Sequence, residues 1–159
     1  MSLKRFLFGL AVMASTSPAL AGDPATTGAL ATPANNIVGL WRTQAAVGPC
    51  GSGVFPIQIR NTLQFQAGGT MIESVPPGAP RVEGLGTWSY VPGTKQYRMH
   101  LLFDWWLPDG TYDGYSTVDR ELLMSNDGSQ IAGPVRSVRH AADGSVMIEV
   151  CGDAVSTRQ

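Results

Sequence analysis

The chain has 159 residues, room for a single domain. Its formal net charge is -1 and charged residues make up only 14%, so it offers no basic surface for nucleic acid. Hydrophobic residues at 43% exclude a disordered chain, and 19 Gly with 11 Pro, in no collagen period, point to an ordered, turn-rich, all-β domain.

The N-terminus reads as an address. Lys4 and Arg5 precede an apolar stretch over residues 6–14, and Ala19-Leu20-Ala21 forms a small-x-small cleavage pattern before Gly22. Residues 1–21 are therefore expected to be a secretory signal peptide, residues 22–36 an Ala/Thr/Pro-rich tether, and residues 37–158 the domain. The apolar stretch is shorter than the ~20 residues of a spanning helix, and no other run is longer, so no integral membrane insertion is expected. No Cys follows it to carry a lipid anchor. Cleavage removes Lys4 and Arg5, leaving nine basic against twelve acidic residues, net -3. The expected destination is the periplasm or the exterior.

Turn signals divide the remainder. Asp109-Gly110, Asp127-Gly128 and Asp143-Gly144 accept the positive φ of tight hairpins. Gly68-Gly69, Pro92-Gly93, a Pro-rich loop over 76–80 and a Gly-rich loop over 48–53 supply four more breaks. The eight resulting segments are 37–46, 54–67, 70–75, 83–91, 95–107, 111–124, 129–140 and 145–152. None has a helical period, and several alternate with period two. Phe55, Ile57, Ile59, Leu63 and Phe65 set one apolar face, Tyr97, Met99, Leu101, Phe103 and Trp105 a second, and Val146, Ile148 and Val150 a third.

Eight strands with short connections and no covering helix predict an antiparallel up-and-down barrel, closed to remove its edges. An outer-membrane barrel would need an outward apolar band. Here the faces opposite the apolar ones carry Arg60, Glu73, Asp113, Asp119, Glu121, Arg136 and Glu149, so the apolar faces are expected inside. Cys50 follows the first segment and Cys151 closes the last. In an exported chain such a pair is expected to form a disulfide, here across the seam where the first and last strands meet. No Cys-x-x-Cys redox motif, metal-ligand spacing or cofactor motif is present, so no cofactor or metal is expected.

The first segment contains Gly39-Leu40-Trp41, and Gly-x-Trp at the first strand of an eight-stranded barrel resembles the lipocalin signature. The stretch 65–70, Gly86-Thr87-Trp88 and the Asp-Gly hairpins are similar to small bacterial lipocalin-like (calycin-type) domains, with coverage of roughly 37–158. Similar patterns occur in barrels resembling the allene oxide cyclase family. The lipocalin resemblance implies that Trp41 packs at the closed end of the barrel and that Arg158 stacks over it. The chain departs from typical lipocalins in being shorter and in lacking an amphipathic helix before a final strand.

Alternation places Trp41, Phe55, Ile57, Ile59, Leu63, Phe65, Ile72, Trp88, Tyr90, Met99, Leu101, Phe103, Trp105 and Tyr112 inside, with Val118, Leu122, Ile131, Val135, Ile148 and Val150. So large a set predicts a packed interior, with a pocket for a small apolar ligand as the functional alternative. The same parity turns Asn61, Ser116, Arg120 and Ser137 inward. Arg120 would anchor a carboxylate if buried, but is expected to extend its head to solvent or to an acid. The ligand-binding candidates are Trp41, Asn61, Phe65, Trp88, Tyr90, Phe103, Trp105, Tyr112 and Arg120. His100 and Asp104 share an outer face two pleats apart, too far for an acid–base pair, and no nucleophile is tied to them. His140 is expected to flank a turn, and Trp106 to be exposed near a barrel mouth. Asp109, Asp113 and Asp119 follow no calcium-loop spacing and are expected in solvated loops. Three readings follow: an exported barrel binding a small hydrophobic ligand or a protein partner that no residue specifies; a non-metal barrel enzyme of the cyclase or isomerase kind; and a filled-core interaction module. The first is preferred, and an enzyme is the less favoured outcome.

Overall fold

The computed structural model describes residues 34–159. The expected signal peptide and the tether up to residue 33 lie outside the described residues. Residues 34–36, expected in the tether, begin a 3₁₀ turn over Ala34–Ile37. Eight strands follow: β1 Gly39–Pro49, β2 Ile57–Phe65, β3 Thr70–Ser74, β4 Gly84–Tyr90, β5 Gln96–Trp106, β6 Tyr112–Met124, β7 Gln130–His140 and β8 Val146–Arg158. They pair antiparallel in sequence order and β8 closes on β1, so the barrel is up-and-down as the turn signals predict. No described helix is long and apolar enough to cross a membrane.

The Asp-Gly pairs make hairpins for a shared reason. Gly110, Gly128 and Gly144 have φ between 70° and 84°, and the Asp before each accepts the backbone N–H two residues on.

One end of the barrel is plugged. Trp41 is fully buried and its indole N–H donates to the Ile37 carbonyl at 2.8 Å. The Arg158 guanidinium lies 4.3 Å from the Trp41 ring centre, the stack that the resemblance implied. Arg158 also donates to the carbonyls of Gly128 and Val38 at 3.0 Å and to that of Asn36. Gly39 matters here twice: its φ is +134°, and a Cβ on it would sit 3.1 Å from the Arg158 Nη1. Phe65, Met71, Trp88, Tyr97, Met124 and Ile131 complete the plug.

The opposite end is the open mouth. Cys50 and Cys151 form a disulfide there, across the β1–β8 seam, where Gly48 pairs with Cys151. The exposed apolar side chains Val54, Ile57, Trp106, Leu107 and Ile148 belong to segments at this end, with Trp106 exposed as expected.

Five expectations are corrected. β1 continues to Pro49 and β8 runs to Arg158, beyond the expected ends at 46 and 152. The tail of β8 alternates only small inward residues, Gly152, Ala154 and Ser156, so hydrophobic periodicity does not reveal it. In β3 the parity is reversed: Met71 and Glu73 point inward and are buried, and Ile72 lies on the other face. The pairings Phe65↔Met71 and Leu63↔Glu73 impose this, because a one-residue slip would turn the buried face of β2 outward. Phe55 lies in the loop before β2, and Tyr112 at the start of β6 is 37% exposed with its ring against Trp106, so neither is in the core.

Replacing Cys50 and Cys151 with Ser opens a covalent loop of sequence separation 101. The loss of stability in chemical denaturation is expected to be about 4–5 kcal/mol in the chain-entropy limit. At the plugged end, Ser125 and Ser129 donate hydrogen bonds to the Asp127 carboxylate and hold its pKa down at about 2. The shift is downward, so its contribution to stability is complete above the unfolded carboxylate value of ~3.9 and is lost as pH falls through about 2. Carboxyl-detected NMR titration should give an Asp127 midpoint near 2 rather than near 4.

Candidate functional site

Above the plug the barrel is hollow. The cavity has a volume of about 400 Å³, within the range of small-molecule sites. The expectation of a packed interior therefore holds only for the plugged half. Its walls are mostly apolar: Ala45, Val47, Ile57, Ile59 and Leu63 from β1 and β2, Met99, Leu101, Phe103 and Trp105 from β5, and Val118, Val135, Ile148 and Val150 from β6 to β8. The space exists because the inward residues Ala154 of β8 and Ala45 of mid-β1 are small where the plug residues are large.

A layer of polar groups crosses this apolar chamber. Thr43 and Ser156 share a buried hydrogen bond of 2.7 Å between β1 and β8. The Trp105 indole donates to the Ser116 hydroxyl at 2.8 Å. Glu73 is 3% exposed and takes two bonds from Arg81, 2.8 Å from Nη1 and 3.0 Å from Nη2. Asn61 donates to the same carboxylate. Gly84 makes room for it, since a Cβ there would come within 2.9 Å of the Glu73 Oε2.

The position of this cluster explains it. β3 pairs with β2 only from Thr62 to Phe65, so the upper part of β2 has no partner on that side. The loop after β3 returns along the gap, where Arg81 bridges to Trp105. Arg81 reaches inward from there, with its guanidinium 3.9 Å from the centre of the Phe103 ring. The Glu73–Arg81–Asn61 group closes the wall, and each Glu73 bond offsets the cost of a buried carboxylate.

Arg120 differs. It is 5% exposed and lines the cavity, so it does not extend to solvent as expected. Its Nη2 donates to the Ala154 carbonyl across the barrel at 3.2 Å. Its Nε is buried with no hydrogen-bond partner. Burial lowers its pKa to about 10, with Glu73 acting in the opposite sense, so the group stays cationic at neutral pH. Asn61 Oδ1 is a second buried polar atom without a partner. At the mouth, Arg139 sits over the Trp105 ring at 4.8 Å and pairs with Asp113 at 2.6 Å.

The structure brings together Asn61, Phe103, Trp105 and Arg120 of the expected site residues, together with Ser116 and Ser137. Trp41, Phe65 and Trp88 belong to the plug. Tyr90 packs its ring 5.2 Å from Tyr97 at the plugged end, and Tyr112 lies outside at the mouth. Glu73, Arg81 and Arg139 escaped the sequence reading. Glu73 was hidden by the reversed parity of β3, and Arg81 by lying in a loop. His100 is on the outer wall and pairs with Asp119 at 2.7 Å, across strands rather than along its own, and Asp104 does not contribute. His140 stacks on Tyr115 at 4.5 Å beside its turn.

Comparison of the chain with family models, curated proteins and solved structures gives no match, so the residues themselves carry the functional argument.

Glu73→Leu leaves the buried Arg81 guanidinium without its carboxylate. The single variant is expected to lose about 3–5 kcal/mol of stability, as for breaking one partner of a buried pair. The double variant Glu73→Leu/Arg81→Leu should recover part of that loss in the same denaturation assay, since Arg81 is no longer left without its carboxylate.

Proposed function

We propose that this protein is an exported, lipocalin-like barrel that holds a small, largely apolar molecule in its interior. The observation that carries this reading is the hollow upper half, about 400 Å³ bounded mainly by aliphatic and aromatic walls and opening at the disulfide-bearing end. A space of this size lies in the range of small-molecule sites. The Cys50–Cys151 bridge supports an oxidising, extracytoplasmic location. The outer wall carries Arg98, His100, Asp119, Glu121 and Arg136, which supports a barrel that faces water rather than lipid.

The enzyme alternative, of cyclase or isomerase kind, draws on the same polar layer, because Asn61 and Arg120 both face the cavity. Binding is the stronger reading, since the interior carboxylate, Glu73, is already engaged by Arg81 and Asn61 in completing the wall. A filled-core interaction module has the cavity against it.

A neutral apolar probe, N-phenyl-1-naphthylamine, should gain fluorescence on mixing with the protein and raise its melting temperature. Ala45→Phe places a ring in the chamber at a wall position that is 8% exposed. This variant should keep the far-UV spectrum and abolish the probe signal; unchanged probe binding would place the probe elsewhere.

A further inference from the structure

We propose that the ligand carries a single anionic head of the carboxylate class, seated on Arg120, with its apolar body filling the chamber above. The inference rests on the carrier reading and names its ligand class.

Four charged residues line the cavity: Glu73, Arg81, Arg120 and Arg139. Glu73 and Arg81 are matched to each other by two hydrogen bonds. Arg139 is matched to Asp113 and is further held by the Asp113 and His140 carbonyls at 2.6 and 2.7 Å. Arg120 alone of the four forms no ion pair, and one neutral carbonyl, that of Ala154, accepts from it. A guanidinium has five N–H donors, and leaving a buried cation so poorly answered is costly. The unpaired Nε makes the deficit specific, because it is a buried donor in a residue that borders the empty space.

The missing partner is therefore an anion delivered into the chamber. A carboxylate suits a guanidinium best in geometry, accepting two parallel N–H bonds. One charge is enough, since the lining carries a single uncompensated cation. A free inorganic anion would leave most of the 400 Å³ empty against apolar walls. The body attached to the head must be apolar to match Ala45, Leu101, Val118 and Val135.

Three probes with the same ten-carbon tail and different heads test this: decanoate, decan-1-ol and decylammonium. Their displacement of N-phenyl-1-naphthylamine should follow the order decanoate, decanol, decylammonium, with decanoate ahead of decanol by about tenfold or more, as for a charge-assisted hydrogen bond. Arg120→Gln should lower decanoate affinity by a similar factor and so remove most of the gap between decanoate and decanol. Equal affinity for the three heads in the unaltered protein overturns the inference while the carrier reading stands. Tight decanoate binding that Arg120→Gln does not weaken overturns it as well. If Arg120→Gln does not fold, the order of the three heads on the unaltered protein decides the matter. If neither the neutral probe nor any of the three binds, the carrier reading falls and this inference falls with it.

Discussion

The structure depends on the closure of β8 onto β1. Nine registered residue pairs, from Trp41↔Arg158 to Pro49↔Val150, turn a meander into a barrel, and without them both strands would present long open edges. The seam is secured at both ends by unlike chemistry. A disulfide closes it beside the mouth, and the Arg158 guanidinium closes it at the plug, stacked on Trp41 and bonded to three carbonyls. Between them lies the buried Thr43–Ser156 hydrogen bond. Sequence separation between the paired strands is large, so chain entropy opposes the closure and these fastenings offset it.

Closure also divides the interior by side-chain size. Where the inward residues are Trp41, Phe65, Trp88 and Tyr97, the barrel fills completely. Where they are Ala45 and Ala154, it cannot, and a chamber remains. The same small residues leave the Arg120 side chain room to cross toward β8 and reach the Ala154 carbonyl. Cavity and buried cation thus have one origin, the run of small inward residues along the seam.

The polar groups inside the barrel serve two purposes that burial alone does not distinguish. Glu73, Arg81 and Asn61 satisfy one another and seal the gap left by the five-residue strand β3. Such a group is explained by the wall it completes. Arg120 completes no wall and has too few partners within the protein. The difference in hydrogen-bond accounting, rather than charge or depth, separates the structural cluster from the candidate recognition residue.

Much of the architecture was legible in the residues. Asp-Gly and Pro-Gly breaks counted the strands, because positive φ at a hairpin is a local requirement that few residues meet. Period-two alternation along the strands located the interior and turned Asn61 of β2, Ser116 and Arg120 of β6 and Ser137 of β7 inward, where they lie. An even cysteine pair in a chain with a leader-like N-terminus announced the disulfide that joins β1 to β8. Three things belonged to the tertiary structure alone. The parity of β3 was decided by its pairing with β2, so a glutamate faces inward where an isoleucine was expected. The end of β8 was decided by two neighbouring strands, since its own small residues carry no hydrophobic signal. Whether the barrel was full or hollow was decided by the sum of side-chain volumes at each level, a quantity that exists only once eight separated segments have been brought to the same height.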